Sequence, residues 1–165
     1  MYYKKVYNTA YFITKDPQLS QDIMQDSFIK AFDKIDSLKD KEKLESWLIS
    51  ITTRTTIDAL RKNKLRNHIS IEEYNATNPG NSYNSVEYEV ESIFLKKELR
   101  EHLDGLPYDY RVVVLLRYIH EFKIHEISET LSIGEGTVKT RLHRAKKKLK
   151  EKLGKSSVLE GGGYE

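Results

Sequence analysis

Apolar side chains recur three and four places apart along most of this chain, the spacing of one face of a helix. In YYKKVYNTAYFI, the residues Tyr3, Val6, Tyr7, Ala10, Tyr11 and Ile13 lie near one stripe, which predicts a first helix ending at Thr14-Lys15. Asp16-Pro17 then opens a second helix. An Asp side chain caps free amide groups, and proline at the first helical position lacks only an N–H that would have no partner there. Leu19, Ile23, Met24, Phe28, Ala31 and Phe32 carry that helix to about Asp33. The stretch Asp36-Ser37-Leu38-Lys39-Asp40-Lys41 has no period and predicts a charged loop. A third helix is expected from about Lys43 to Asn63, with Leu44, Trp47, Leu48, Ile51 and Thr55 on its inner face. Arg54, Arg61 and Lys62 gather toward its far end, where cations suit the helix dipole.

The character then changes. NATNPGNSYNS (Asn75 to Ser85) is dense in turn formers and predicts a linker. Periodicity returns with Ile93, Leu95, Leu99 and Leu103, closed by Gly105-Leu106-Pro107. A helix from about Tyr108 to Ile119 has Val112, Val113, Leu115, Leu116 and Ile119 for its core. A short helix from about Lys123 to Leu131 and a long one from Gly136 or Thr137 past Lys150 complete the pattern. Strand-like alternation is confined to His68 to Ile71. The expected class is all-α, with two small helical domains: residues 1–66, a flexible linker at 67–91, a helix-turn-helix domain at 92–154 and a tail at 155–165.

Charge sharpens this division. The net charge of +3 conceals blocks. Arg54 to Asn67 holds five Lys/Arg against one acid, His68 to Ser92 holds five Glu and no Lys or Arg, and Thr137 to Lys155 holds nine Lys/Arg against one Glu. Two basic blocks, each at the end of an amphipathic helix, suit a polyanion such as a phosphate backbone better than two merely solvated faces would. The chain has no cysteine, so disulfides and thiolate zinc sites are excluded. No apolar run approaches the ~20 residues of a membrane span. The expectation is a cytoplasmic protein with no membrane insertion of its own.

The motif IHEISETLSIGEGTVKTRLHRA joins two apolar stripes, Ile124/Ile127/Leu131 and Val138/Leu142, across a short turn with two glycines. Such a corner also occurs in ordinary helical hairpins, but here the second helix is basic, as in a DNA-reading helix-turn-helix. Docking by Val138 and Leu142 leaves Glu135, Gly136, Thr137, Lys139, Thr140, Arg141, His143, Arg144 and Lys147 for a major groove and its phosphates. His120 and His125 are five apart rather than four. That turns one ring roughly 140° from the other at helical pitch, which argues against a metal site. The histidines are read as surface residues. No nucleophile–base pair or phosphate-cradling loop is present, so neither catalytic residues nor a cofactor are expected.

Taken in order, these segments resemble the ECF (extracytoplasmic function) sigma factors of the sigma-70 superfamily. DIMQDSFIKAF (Asp22 to Phe32) is similar to that family's core-polymerase-binding segment, LESWLISITTRTTIDALRK (Leu44 to Lys62) to its minus-ten helix, and Leu106 to Leu149 to its minus-thirty-five domain. Three departures stand out: a first helix shorter than the family's usual one, Asp26 where Glu is commoner, and Ser132 in place of a frequent turn Gly. Glycine supplies a left-handed backbone readily, so Ser132 is expected to shift or strain the turn.

The resemblance implies a sigma factor that binds core RNA polymerase and promoter DNA, both duplex and melted. Asp22, Gln25, Asp26, Phe28, Ile29 and Phe32 would face polymerase, with Phe28 and Phe32 shared with the core. Lys39, Lys41, Lys43, Arg54, Arg61 and Lys62 would face the minus-ten element, and the nine residues from Glu135 to Lys147 named above the minus-thirty-five element. An anti-sigma factor is a partner common in that family, though no residue here marks one. Glu72, Glu73, Glu87, Glu89 and Glu91 of the linker would either mimic nucleic acid or keep the basic domains soluble. The competing classes are a conventional helix-turn-helix regulator that binds duplex without polymerase, and a non-catalytic helical nucleic-acid-binding adaptor.

Overall fold

The computed structural model describes residues 1–67 and 97–154, and the regular elements among them are all helical. The N-terminal half contains α1 (Tyr2–Thr14), α2 (Pro17–Asp33) and α3 (Leu44–Asn67). The C-terminal half contains α4 (Lys97–Asp104), α5 (Tyr108–Val114), α6 (Ile124–Leu131) and α7 (Glu135–Leu153). Most of the expected linker and the tail, with the acidic residues from Glu72 to Glu91, lie outside the described residues.

The start and stop signals act as their chemistry predicts. The Asp16 carboxylate accepts from the Leu19 N–H at 3.1 Å, with Pro17 at the first helical position. The charged loop holds two single 3-10 turns, Ile35–Ser37 and Lys41–Lys43, the second capped by Asp40 accepting from the Glu42 N–H at 3.0 Å. At the start of α6, Glu126 reaches back to accept from the Lys123 N–H at 2.7 Å. The helix expected to run unbroken to Ile119 instead widens into a π-type turn at Leu115–Ile119, where the His120 N–H donates to the Leu115 carbonyl five residues back.

The α1 stripe is displaced from its expected position. Thr9, Phe12 and Thr14 are buried with Val6, Ala10 and Ile13, while Tyr3 is exposed and Tyr7 and Tyr11 are half-buried. The displacement reflects what α1 packs against: α2 and α3 on one side and α5 on the other. α3 likewise has two inner faces. Leu48 and Ile51 close the N-terminal bundle with Val6 and Ala31. Ile49 and Leu60 enter a larger cluster with Phe12, Ile13, Leu106, Val112, Val113, Leu116, Ile127, Val138 and Leu142. The two halves therefore share one core, which the linker pattern did not suggest.

Burying both faces of α3 brings in Thr52, Thr53, Thr55 and Thr56. Each hydroxyl donates to the carbonyl four residues earlier at 2.7–2.8 Å, so each of the four is paired. The junction also contains Arg111, which is 1% exposed. Its guanidinium donates to the carbonyls of Leu106 and Asp104 and, across the halves, to Ile13. Five fixed donors suit a cluster of carbonyls left at helix ends.

Candidate nucleic-acid interface

α7 docks by Val138, Leu142 and Ala145, all buried against α5 and α6. The turn before it keeps its left-handed step at Ser132 (φ 55°, ψ 44°), so serine adopts the conformation glycine would take more easily. The Ser128 hydroxyl donates to the Ile133 carbonyl and ties the turn to α6. With α7 fixed, Glu135, Gly136, Thr137, Lys139, Thr140, His143, Arg144 and Lys147 are exposed. Arg141 is half-buried, with its guanidinium 3.7 Å from the Asp109 carboxylate. Gly136, Thr137, Thr140, Arg141 and Arg144 line an open hollow with Asp109 and Tyr110. A side chain at Gly136 would meet nothing within 4 Å, so packing within the chain does not require glycine there.

The second set of cations is arranged differently. Lys39, Lys41 and Lys43 are exposed on the loop before α3, and Arg61 and Lys62 are exposed near its far end. Arg54 lies between these groups and faces the other half. Its Nε donates to the Thr130 carbonyl at 3.1 Å and its Nη2 to the Glu129 carbonyl at 3.4 Å. These carbonyls end α6 and carry its partial negative charge. Beside them the hydroxyls of Ser50 and Thr130 are 3.1 Å apart.

The outer face of α2 is apolar and acidic. Asp22, Gln25 and Asp26 are exposed, and Phe28, Ile29 and Phe32 are exposed to 36%, 61% and 79%. The expectation that both phenylalanines share the core does not hold, because Ser20, Ile23, Ser27 and Ala31 fill α2's inner face. With Ile35, 45% exposed, they make an apolar patch of the kind that marks a protein-binding surface.

Sequence reasoning missed His120, which was read as a surface residue. It sits between α1 and the C-terminal half, its Nε2 3.1 Å from Thr9 Oγ1. Since that hydroxyl donates to the Lys5 carbonyl at 2.7 Å, it accepts from the ring, which assigns the proton to Nε2. Burial lowers the ring's pKa to about 4, opposed by the Glu45 carboxylate and aided by the Lys5 cation. Only the alternation of apolar residues around His120, in RYIHEFKI, hinted at this. Among the described residues no group of carboxylates and histidines could hold a metal ion, and no helix is long and apolar enough to cross a membrane.

Residues 1–66 match the family Sigma-70 region 2, and residues 96–149 match Sigma-70, region 4. The chain is 34% identical to the ECF RNA polymerase sigma factor SigW of Bacillus subtilis (strain 168), over 93% of this chain and 85% of that protein. It is 32% identical to the RNA polymerase sigma factor SigV of the same organism, over 92% and 86%. A co-crystal structure of the sigma factor RpoE with the anti-sigma factor NepR from Bartonella quintana shares the fold. Its TM-score is 0.65 at 20% identity, over 93% of this chain and 92% of that one.

Proposed function

The chain belongs to the ECF family of RNA polymerase sigma factors, and on that premise we propose how its surface is divided among its partners. As a sigma factor it binds core RNA polymerase and directs promoter-specific transcription initiation. The chemistry of RNA synthesis belongs to the polymerase, and the place of action is the cytoplasm.

The exposed apolar patch on α2 carries this reading over that of a conventional regulator. Phe32 is 79% exposed beside Phe28, Ile29 and the acids Asp22 and Asp26. A duplex bound to α7 would leave such a surface uncovered, whereas polymerase would cover it. The face of α7 from Glu135 to Lys147 reads the minus-thirty-five duplex, with Arg141 and Arg144 as its principal cations. Lys39, Lys41, Lys43, Arg54, Arg61 and Lys62 meet the minus-ten element as it melts, where a flipped base can be held by a loop and its backbone by cations. An anti-sigma factor, the partner in the co-crystal structure of the sigma factor RpoE with NepR, is a third candidate partner.

The test is binding to purified bacterial core polymerase, followed by run-off transcription on a pool of genomic promoters. The expected result is a stable complex and new promoter-specific transcripts, with Asp22→Lys/Gln25→Lys losing polymerase binding at unchanged helix content. Duplex binding without polymerase binding would instead favour the conventional regulator.

A further inference from the structure

The fold treats Arg141 and Arg144 of α7 differently. At about 100° per residue, Arg141 lies roughly 60° round the helix from the buried Val138, and Arg144 roughly 120° round on the same side. Arg144 is exposed. Arg141 is half-buried at the flank, where its guanidinium stands 3.7 Å from the Asp109 carboxylate of α5. Tyr110, next in sequence, holds a second flank cation: Lys148 Nζ is 5.4 Å from its ring centroid. Lys148 is about two turns beyond Arg141, so two adjacent side chains of α5 hold one row of α7. On the other flank Tyr118 of the π-type turn holds Lys146, again at 5.4 Å from Nζ to ring centroid. Between these restrained flanks runs an exposed outer row, Lys139, His143, Arg144 and Lys147.

The Arg141–Asp109 pair is open to water, with 27% of the Arg141 side chain and 45% of the Asp109 side chain exposed, so it adds little to stability. Its stronger effect is on aim. Contacts to phosphate fix where a reading helix lies in the groove, and contacts to base edges then specify the sequence. On the reading that α7 meets duplex DNA, we propose that Asp109 is a positioning residue for promoter selection. It holds Arg141 at the flank of α7 for one backbone phosphate, and that contact sets the register at which Arg144 meets the bases. The hollow beside the pair, lined by Thr137, Thr140 and Arg144, is where that phosphate would enter. The carboxylate lowers affinity for DNA in general, because it repels phosphates and offsets one cation. It raises selectivity, because a tethered Arg141 is not at liberty to follow the phosphates of an unrelated sequence.

The test titrates the full chain with two duplexes at fixed salt: the minus-thirty-five segment of a promoter found by run-off transcription, and the same segment scrambled. Asp109→Asn is expected to bind the scrambled duplex at least as tightly as the unaltered chain does, and to lower the ratio of the two affinities by about fivefold. Asp109→Glu, which keeps the charge, should recover most of the ratio. In an Arg141→Ala chain, already less selective, Asp109→Asn should lower the ratio no further. Asp109 also stands in the first turn of α5, where an acid suits the helix dipole. Were that its whole role, Asp109→Asn would lower the melting temperature and leave the ratio unchanged, which would overturn the proposal. An equal fall of the ratio in the Arg141→Ala chain would overturn it too, since Asp109 would then act without Arg141. A ratio near one for the unaltered chain is a different failure: the reading of α7 as a duplex reader falls first, and this inference with it.

Discussion

α3 is walled in on two sides, whereas α7 is gripped along a single stripe. Both carry a basic block, and both are assigned to promoter DNA. α7 buries Val138, Leu142 and Ala145 and leaves most of its remaining surface exposed, so the face proposed to read duplex is complete in the docked chain. α3 buries Leu48, Ile49, Ile51, Leu60 and four threonines, and its Arg54 is engaged by the other half. The contrast suits the division of work proposed for the two helices. A duplex presents its groove without prior change, and a preformed helix can meet it. A melted strand exists only after polymerase has opened the DNA, so its reader has no ligand until then and can rest against its own chain.

The sharpest way to break this contrast is to remove Arg111, which joins the halves from inside. Arg111→Ala leaves the carbonyls of Ile13, Leu106 and Asp104 without their donor and should lower stability by about 3 kcal/mol or more. Urea denaturation should also change from one shared transition toward two. A loss within experimental error would mean that the junction contributes little.

Next in size is the open helix. Arg141→Ala/Arg144→Ala should weaken binding to minus-thirty-five duplex by roughly 1–3 kcal/mol for each base-specific pair lost, read by titration at fixed salt. Binding to melted minus-ten strand should not change. An equal loss on both DNAs would erase the distinction between the helices.

His120 offers a milder probe of the closed side. Its pKa falls from 6.5 to about 4 on burial, so between those values the unfolded chain binds the extra proton. Its contribution is therefore complete above about pH 6.5 and is lost as pH drops toward 4. By pH 5 this amounts to about 2 kcal/mol. His120→Gln should flatten that part of the stability profile, and an unchanged profile would assign the acid sensitivity to other groups. The smallest expected effect is at the turn that aims α7. Ser132→Gly relieves a left-handed residue and should raise the melting temperature slightly, by about 0.5–1 kcal/mol in stability.

These expectations show where one-dimensional patterns carry information and where they stop. Asp16-Pro17, the Ile127/Val138/Leu142 stripes and the strained Ser132 were legible because caps, helical periods and turn chemistry depend on neighbours in the chain. The second face of α3 was not, since a helix buried on both sides has no clean stripe, and Thr52, Thr53 and Thr56 read as polar. No pattern singled out Arg111. Nothing local tells a cation that it will meet the carbonyl of Ile13, 98 residues away. His120 was misread for the same reason: its environment comes from α1. The phenylalanines of α2 show the converse, apolar residues at core spacing that face outward because Ser20, Ser27 and Ala31 already fill the inner face.

The shared core also bears on how long the protein lasts. A domain of about 60 residues buries only about 60% of the surface its unfolded chain exposes, less than a body twice that size. Each half alone would open more often, and proteases cut chains in their opened form. A chain whose halves stay packed on their shared core would therefore outlast one whose halves have come apart, and its lifetime would report on that packing.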